Sequence, residues 1–175
     1  VPVRVSVGTD FVVTLLNTNP LTLYTAGSNA VYQLGSTSTA LFFRQVELTV
    51  GTVAAALVTG NHHTLFHNGT HLLAFGNNDY GQLGRNLDTS VDLSIVGPGI
   101  NWTTNIAAIG NSSFGVDSVG WLYSWGANTA NGILGRTNDW DLSTAPTTVV
   151  LGVAGTWKLC DHCIGEFMIA MRHST

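Results

Sequence analysis

Three landmarks recur along this chain at one spacing, and that periodicity constrains the fold more than composition could. The segment Val31-Tyr-Gln-Leu-Gly35 returns as Asp79-Tyr-Gly-Gln-Leu-Gly84 and as Ala130-Asn-Gly-Ile-Leu-Gly135, with the closing glycines 49 and 51 residues apart. Upstream of each lies a glycine-asparagine element: Ala26-Gly-Ser-Asn29, Phe75-Gly-Asn-Asn78 and Trp125-Gly-Ala-Asn128. Earlier still come Val7-Gly8, Thr59-Gly60 and Ile109-Gly110. The repeat therefore divides residues 1–175 into units of roughly 3–53, 54–105 and 106–156, with a partial unit at 157–175, all within one repeat domain.

Between the landmarks the units read as short strands. Leu21–Thr25, His71–Phe75 and Trp121–Trp125 occupy one slot; Phe11–Leu16, Thr64–Phe66 and Phe114–Val116 form their partners. Asn68-Gly69 and Val119-Gly120 read as two-residue hairpin signals. The run Val53–Val58 is alanine-rich, but its counterparts Val3–Val7 and Ile106–Ile109 are β-like, so the repeat overrules local helix propensity. Several strands per unit, glycine turns and no helical periodicity predict an all-β chain of β-propeller blades of about 50 residues. Kelch spacing also fits, but that family's double glycine and the WD dipeptide are both absent.

Gly60-Asn-His-His-Thr64, Asn68-Gly69 and Phe75-Gly-Asn-Asn-Asp-Tyr-Gly-Gln-Leu-Gly84 closely resemble the regulator of chromosome condensation repeat. Leu122-Tyr-Ser-Trp-Gly-Ala-Asn128, ending at Leu134-Gly135, is similar to the same pattern, while Thr18-Asn-Pro20 makes the first copy looser. The resemblance implies a seven-bladed propeller acting mostly as a protein-binding platform. One branch of that family is an exchange factor for a nuclear small GTPase; another comprises secreted bacterial inhibitors of β-lactamase. About three and a half units would then form about half of a ring. That reading leaves three ways to cover the end blades: an excerpt of a longer propeller, a ring closed by two copies, or head-to-tail addition into a filament. The opening Val1-Pro2 fits a processed product, a fragment or part of a longer chain.

Composition narrows the partner. Hydrophobic residues make up 45% and charged residues 9%, with a net charge of −4, a single lysine at Lys158 and scattered arginines. Nucleic-acid binding draws on clustered Lys and Arg, so none is expected. The longest apolar run, Val53–Val58, falls far short of a membrane span. Scarce lysine with many Ser, Thr and Asn fits an extracellular or secreted setting, with a cytoplasmic one as the alternative. The sequons at Asn68, Asn101 and Asn111 are candidate N-glycosylation sites.

Chemistry-bearing clusters are few. Cys160-Asp-His-Cys163 supplies two ligands of the four a zinc site needs, and reads as a candidate disulfide or a buried thiol pair, with a redox pair and a half metal site shared across chains as the alternatives. His62 and His63 take a structural role in a turn, while His67, His71 and His173 lack a carboxylate or nucleophile at diagnostic spacing. Asp79, Asp88, Asp92, Asp139 and Asp141 read as solvated loop charges, and no nucleophile elbow, P-loop or EF-hand pattern occurs. No cofactor, metal or catalytic residue is assigned, so the chain reads as a non-enzyme. Asn29, Asn78 and Asn128 should bond their own loops, and the repeated glycines should permit φ > 0. Trp121 and Trp125, four apart on a β run, should share a buried face. Trp140, flanked by Asp139 and Asp141, is the candidate protein contact. The expected function is a propeller scaffold for protein–protein interaction or self-assembly, including a filament component. GTPase regulation and inhibition of a secreted hydrolase are the competing readings.

Overall fold

The computed structural model describes residues 2–16, 22–37, 43–46, 56–87, 93–128, 132–136, 143–149, 156–159 and 170–173. Each repeat forms one antiparallel meander. The first contains β1 (Pro2–Val7), β2 (Phe11–Leu16), β3 (Thr22–Gly27) and β4 (Arg44–Val46). The second contains β5 (Ala56–Thr59), β6 (His63–His67), β7 (Leu72–Gly76) and β8 (Ser94–Ile95). The third contains β9 (Trp102–Ile109), β10 (Ser112–Asp117), β11 (Leu122–Gly126) and β12 (Ser143–Thr148). Strands β13 (Thr156–Leu159) and β14 (Ala170–His173) pair as the start of a fourth.

Strand order within each sheet follows the chain. The first strands pack in series, β1 on β5, β5 on β9 and β9 on β13. Face-to-face stacking of meanders along their first strands is the radial arrangement of propeller blades. The chain is therefore all-β, as its repeat predicts, and forms an arc of propeller blades. The alanine-rich run enters β5 as expected over its described part.

Burial patterns show how the blades depend on one another. In β2 burial alternates: Phe11, Val13 and Leu15 are enclosed, while Val12, Thr14 and Leu16 are half-buried. In β6 and β7 every residue is buried, because blade 2 has a neighbour on each side. The first seam joins Phe11, Val13, Leu15 and Leu23 to Leu57, Phe66, Leu73 and Phe75. The second joins Val58, Leu65, Leu72 and Ala74 to Trp102, Ile106 and Trp125. The third joins Phe114, Val116 and Leu122 to Leu159.

Two expectations need correction. The hairpin tips are four-residue loops, 68–71 and 118–121, because a side-chain oxygen takes over the turn. Asn68 Oδ1 accepts from the Thr70 and His71 amides, and Asp117 Oδ1 accepts from the Val119 and Trp121 amides. That rearrangement also overturns the shared tryptophan face. Strand β11 begins at Leu122, leaving Trp121 in the loop and 38% exposed, whereas Trp125 is fully buried.

Candidate functional site

The loops after the third strands are built three times over from the same atoms. Asn29 Oδ1 accepts from the Leu34 amide, Asn78 Oδ1 from Leu83 and Asn128 Oδ1 from Leu134, at 2.9, 3.1 and 3.2 Å. The Asn29 and Asn78 amides also donate to the Ser36 and Asn86 carbonyls. A Cβ at Gly27, Gly76 or Gly126 would lie within 2.5 Å of a backbone oxygen in the preceding turn, and all three have positive φ. These asparagines and glycines serve the fold, as the sequence suggests.

One position departs from the pattern. Gly81 and Gly132 hold φ of 76° and 66°, and the residue at their place in the first loop is Tyr32, with φ 63°. A bulky side chain rarely adopts this region. The deviation is visible in the sequence as Tyr in place of Gly, but only the backbone geometry shows that it matters.

Among the described residues, the seam between blades 2 and 3 carries a linked set of buried polar contacts. His63 Nε2 meets Ser113 Oγ at 2.9 Å, Ser113 Oγ donates to the Gln82 carbonyl, and Trp125 Nε1 donates to that same oxygen at 2.9 Å. Complete burial, assisted by neighbouring His62, lowers the His63 pKa to about 3, so the imidazole is neutral. Backbone bonds from Thr9 to Asn61 and from Asn61 to Gly110 lace successive blades. His62 Nε2 lies 3.8 Å from Asp10 Oδ1 across the first seam. His63 is structural, as expected, although its partner is a strand of the next blade rather than a loop.

His67 is buried and its pKa is lowered, chiefly by that burial, while His71 is exposed. Asp79 is exposed. Asn101 is exposed and Asn111 half-buried, whereas Asn68 is 2% exposed. Cys160, Cys163, Asp88, Asp92, Trp140, Asp139 and Asp141 lie outside the described residues. Among the described residues, no three His, Cys, Asp or Glu side chains gather as a metal site, and no helix is long and apolar enough to cross a membrane.

Sequence reasoning missed Asp117, a carboxylate only 7% exposed. Besides the two amides it accepts a bond from Tyr123 Oη at 3.2 Å. Tyr123 packs edge-on against Trp102, with centroids 5.2 Å apart, and its pKa is raised by burial first and Asp117 second. Its place at a hairpin tip, where the second repeat carries Asn68, was the available signal.

Blade geometry, register and loop chemistry now invite comparison with known proteins. Neither protein-family models nor curated protein sequences give a match. Among solved structures, human WBSCR16 superposes with a TM-score of 0.75 at 18% identity, covering 90% of this chain and 41% of that one. The fold is an RCC1-like β-propeller. Prp20p from Saccharomyces cerevisiae, described with its binding to Gsp1p and histones, matches with a TM-score of 0.66 at 17% identity, over 89% of this chain and 40% of that one. A structure of Kap60 bound to yeast RCC1 (Prp20) gives 0.76 at 18% identity, over 89% and 38%. The chain thus spans about two fifths of the proteins it matches, and identities this low establish the RCC1-like fold alone.

Proposed function

We propose that this chain is a non-enzymatic propeller scaffold for protein–protein interaction, and that the open face of its first blade takes a further blade, from the rest of a longer propeller or from a second copy. Register equivalence carries the reading. In blade 2 the cross-strand rows Leu57–Phe66–Leu73 and Thr59–Thr64–Phe75 face blade 1. The same rows in blade 1 are Val5–Thr14–Tyr24 and Val7–Val12–Ala26. Leu57, Phe66 and Phe75 are enclosed, whereas Val5 is 55% and Val7 69% exposed. A face with the pairing geometry of a blade seam, and apolar residues in water, favours another blade over an unrelated shape.

Prp20p, which has the same fold, is a protein binder by its description, in keeping with the interaction class. Nucleotide exchange on a GTPase would rest on the fold alone, since no residue of this chain points to it. Sedimentation equilibrium tests the association. Where a second copy supplies that blade, the chain sediments above its 18.5 kDa monomer mass, and Val5→Asp with Val7→Asp should return it to monomer. A wild-type monomer at micromolar concentration sinks the association.

The extracellular setting is proposed on the lysine-poor composition together with an accessible sequon. Asn101 is exposed, whereas Asn68 is enclosed and holds a turn. Material secreted from eukaryotic cells should carry a glycosidase-sensitive mass increment at Asn101. Unmodified Asn101 in secreted material would count against this setting.

A further inference from the structure

The tip of the β6–β7 hairpin gathers reactive groups around the peptide bond between Asn68 and Gly69. The Gly69 N–H donates to His67 Nδ1 at 3.2 Å. That bond fixes the neutral ring with its proton on Nε2 and a lone pair facing the Gly69 nitrogen. Asn68 Oδ1 meanwhile accepts from the Thr70 and His71 amides at 3.0 and 2.8 Å. His67 and Asn68 are enclosed, whereas Gly69, Thr70 and His71 are exposed.

Blade 3 builds the equivalent turn without these reactive parts. Asp117 stands in the Asn68 place and accepts from two amides through Oδ1. Val116, opposite Leu122, stands where His67 lies opposite Leu72. The turn therefore requires neither a histidine nor a side-chain amide.

We propose that Asn68-Gly69 is a self-deamidating site, with Gly69 N as nucleophile, His67 as general base and the Thr70 and His71 amides as its oxyanion hole. Gly69 N attacks Asn68 Cγ, and an N–Cγ bond forms as the amide proton passes to His67 Nδ1. The carbonyl electron pair moves onto Oδ1, where the two N–H groups hold the negative charge. The tetrahedral centre then collapses: the Cγ–Nδ2 bond breaks, and Nδ2 takes the proton back from His67 and leaves as ammonia. Water opens the resulting succinimide, so asparagine and water give an acid and ammonia in sum. Gly69, at the ring, is open to that water. Addition at Cγ restores the main chain and leaves a carboxylate on the cap, the group Asp117 already supplies in blade 3. It also erases the sequon that begins at Asn68.

Burial lowers the His67 pKa; the Trp102 backbone on β9 pulls the other way, and His71 adds to the lowering. The imidazole is thus free to accept a proton at neutral pH. Peptide-mapping mass spectrometry of the intact, unglycosylated chain, following conversion at Asn68 over time, tests the site. The folded chain should react at least about tenfold faster than the same chain in urea, within reach of one positioned general base. His67→Gln keeps an acceptor for the Gly69 N–H but no base, and should slow the folded chain several-fold with an unchanged circular dichroism spectrum. From mildly acidic to mildly alkaline pH the folded wild-type rate should stay nearly flat, while the rate in urea climbs with hydroxide. A folded rate no faster than in urea, the same climb with hydroxide, or a folded His67→Gln chain that keeps pace with wild type would each overturn the assignment. The reaction is confined to one hairpin, so it stands or fails apart from blade association.

Discussion

At the residue scale, one substitution between repeats leaves a trace in another blade. His63 lies over Gly60, and Phe11 lies over Gly8 in the same way. His63 gives Ser113 a partner across the second seam. Thr64 holds the Ser113 position in blade 2, but the residue facing it from blade 1 is Phe11, which has no polar atom to offer. Thr64 Oγ1 is accordingly buried with no partner among the described residues. An unsatisfied buried hydroxyl costs about 1–3 kcal/mol, and valine keeps the branched shape that suits a strand. Thr64→Val should therefore raise stability by about 1 kcal/mol, read as a higher urea midpoint with an unchanged slope. A loss of stability would show that the hydroxyl has a partner.

At the scale of elements, the seams between blades differ in kind. The first is mainly hydrophobic, with Phe75 packed near Gly35; the second adds the Gln82 carbonyl, Trp125 Nε1, Ser113 and His63. A histidine buried as the neutral form makes the second seam sensitive to acid. Its pKa is about 3 in the fold against 6.5 in the open chain, so below 6.5 the unfolded state binds the extra proton. Stability is then undiminished above pH 6.5 and falls as pH drops toward 3, by up to about 1.4 kcal/mol per unit from this group. His63→Phe, which copies Phe11, should flatten that decline in urea titrations run from pH 7 to pH 4. An equal slope in the variant would place the acid sensitivity elsewhere.

At the scale of the whole molecule, stability is shared between neighbouring blades. Blade 2 is buried on both faces, while the outward rows of blade 1 lie in water. If those rows pack against a second copy, association is linked to folding, and the melting temperature should climb with protein concentration. The Val5→Asp and Val7→Asp chain should lose that dependence. A wild-type melting temperature that ignores concentration would argue against the linkage, in step with the sedimentation result.

The sequence by itself determined the blade. A period near 50, the Asn29, Asn78 and Asn128 loops, and the glycines at positive φ are set by local backbone geometry, which few residue types satisfy, so each is legible from spacing. The seams and the tips were decided only in three dimensions. Whether Trp121 is core or surface depends on where Asp117 ends the strand, and the one sequence trace of that cap is Asn68 at the same place in the second repeat, a different residue type. Whether Thr64 is satisfied depends on Phe11, more than 50 residues away, because contacts between blades join residues one full repeat apart.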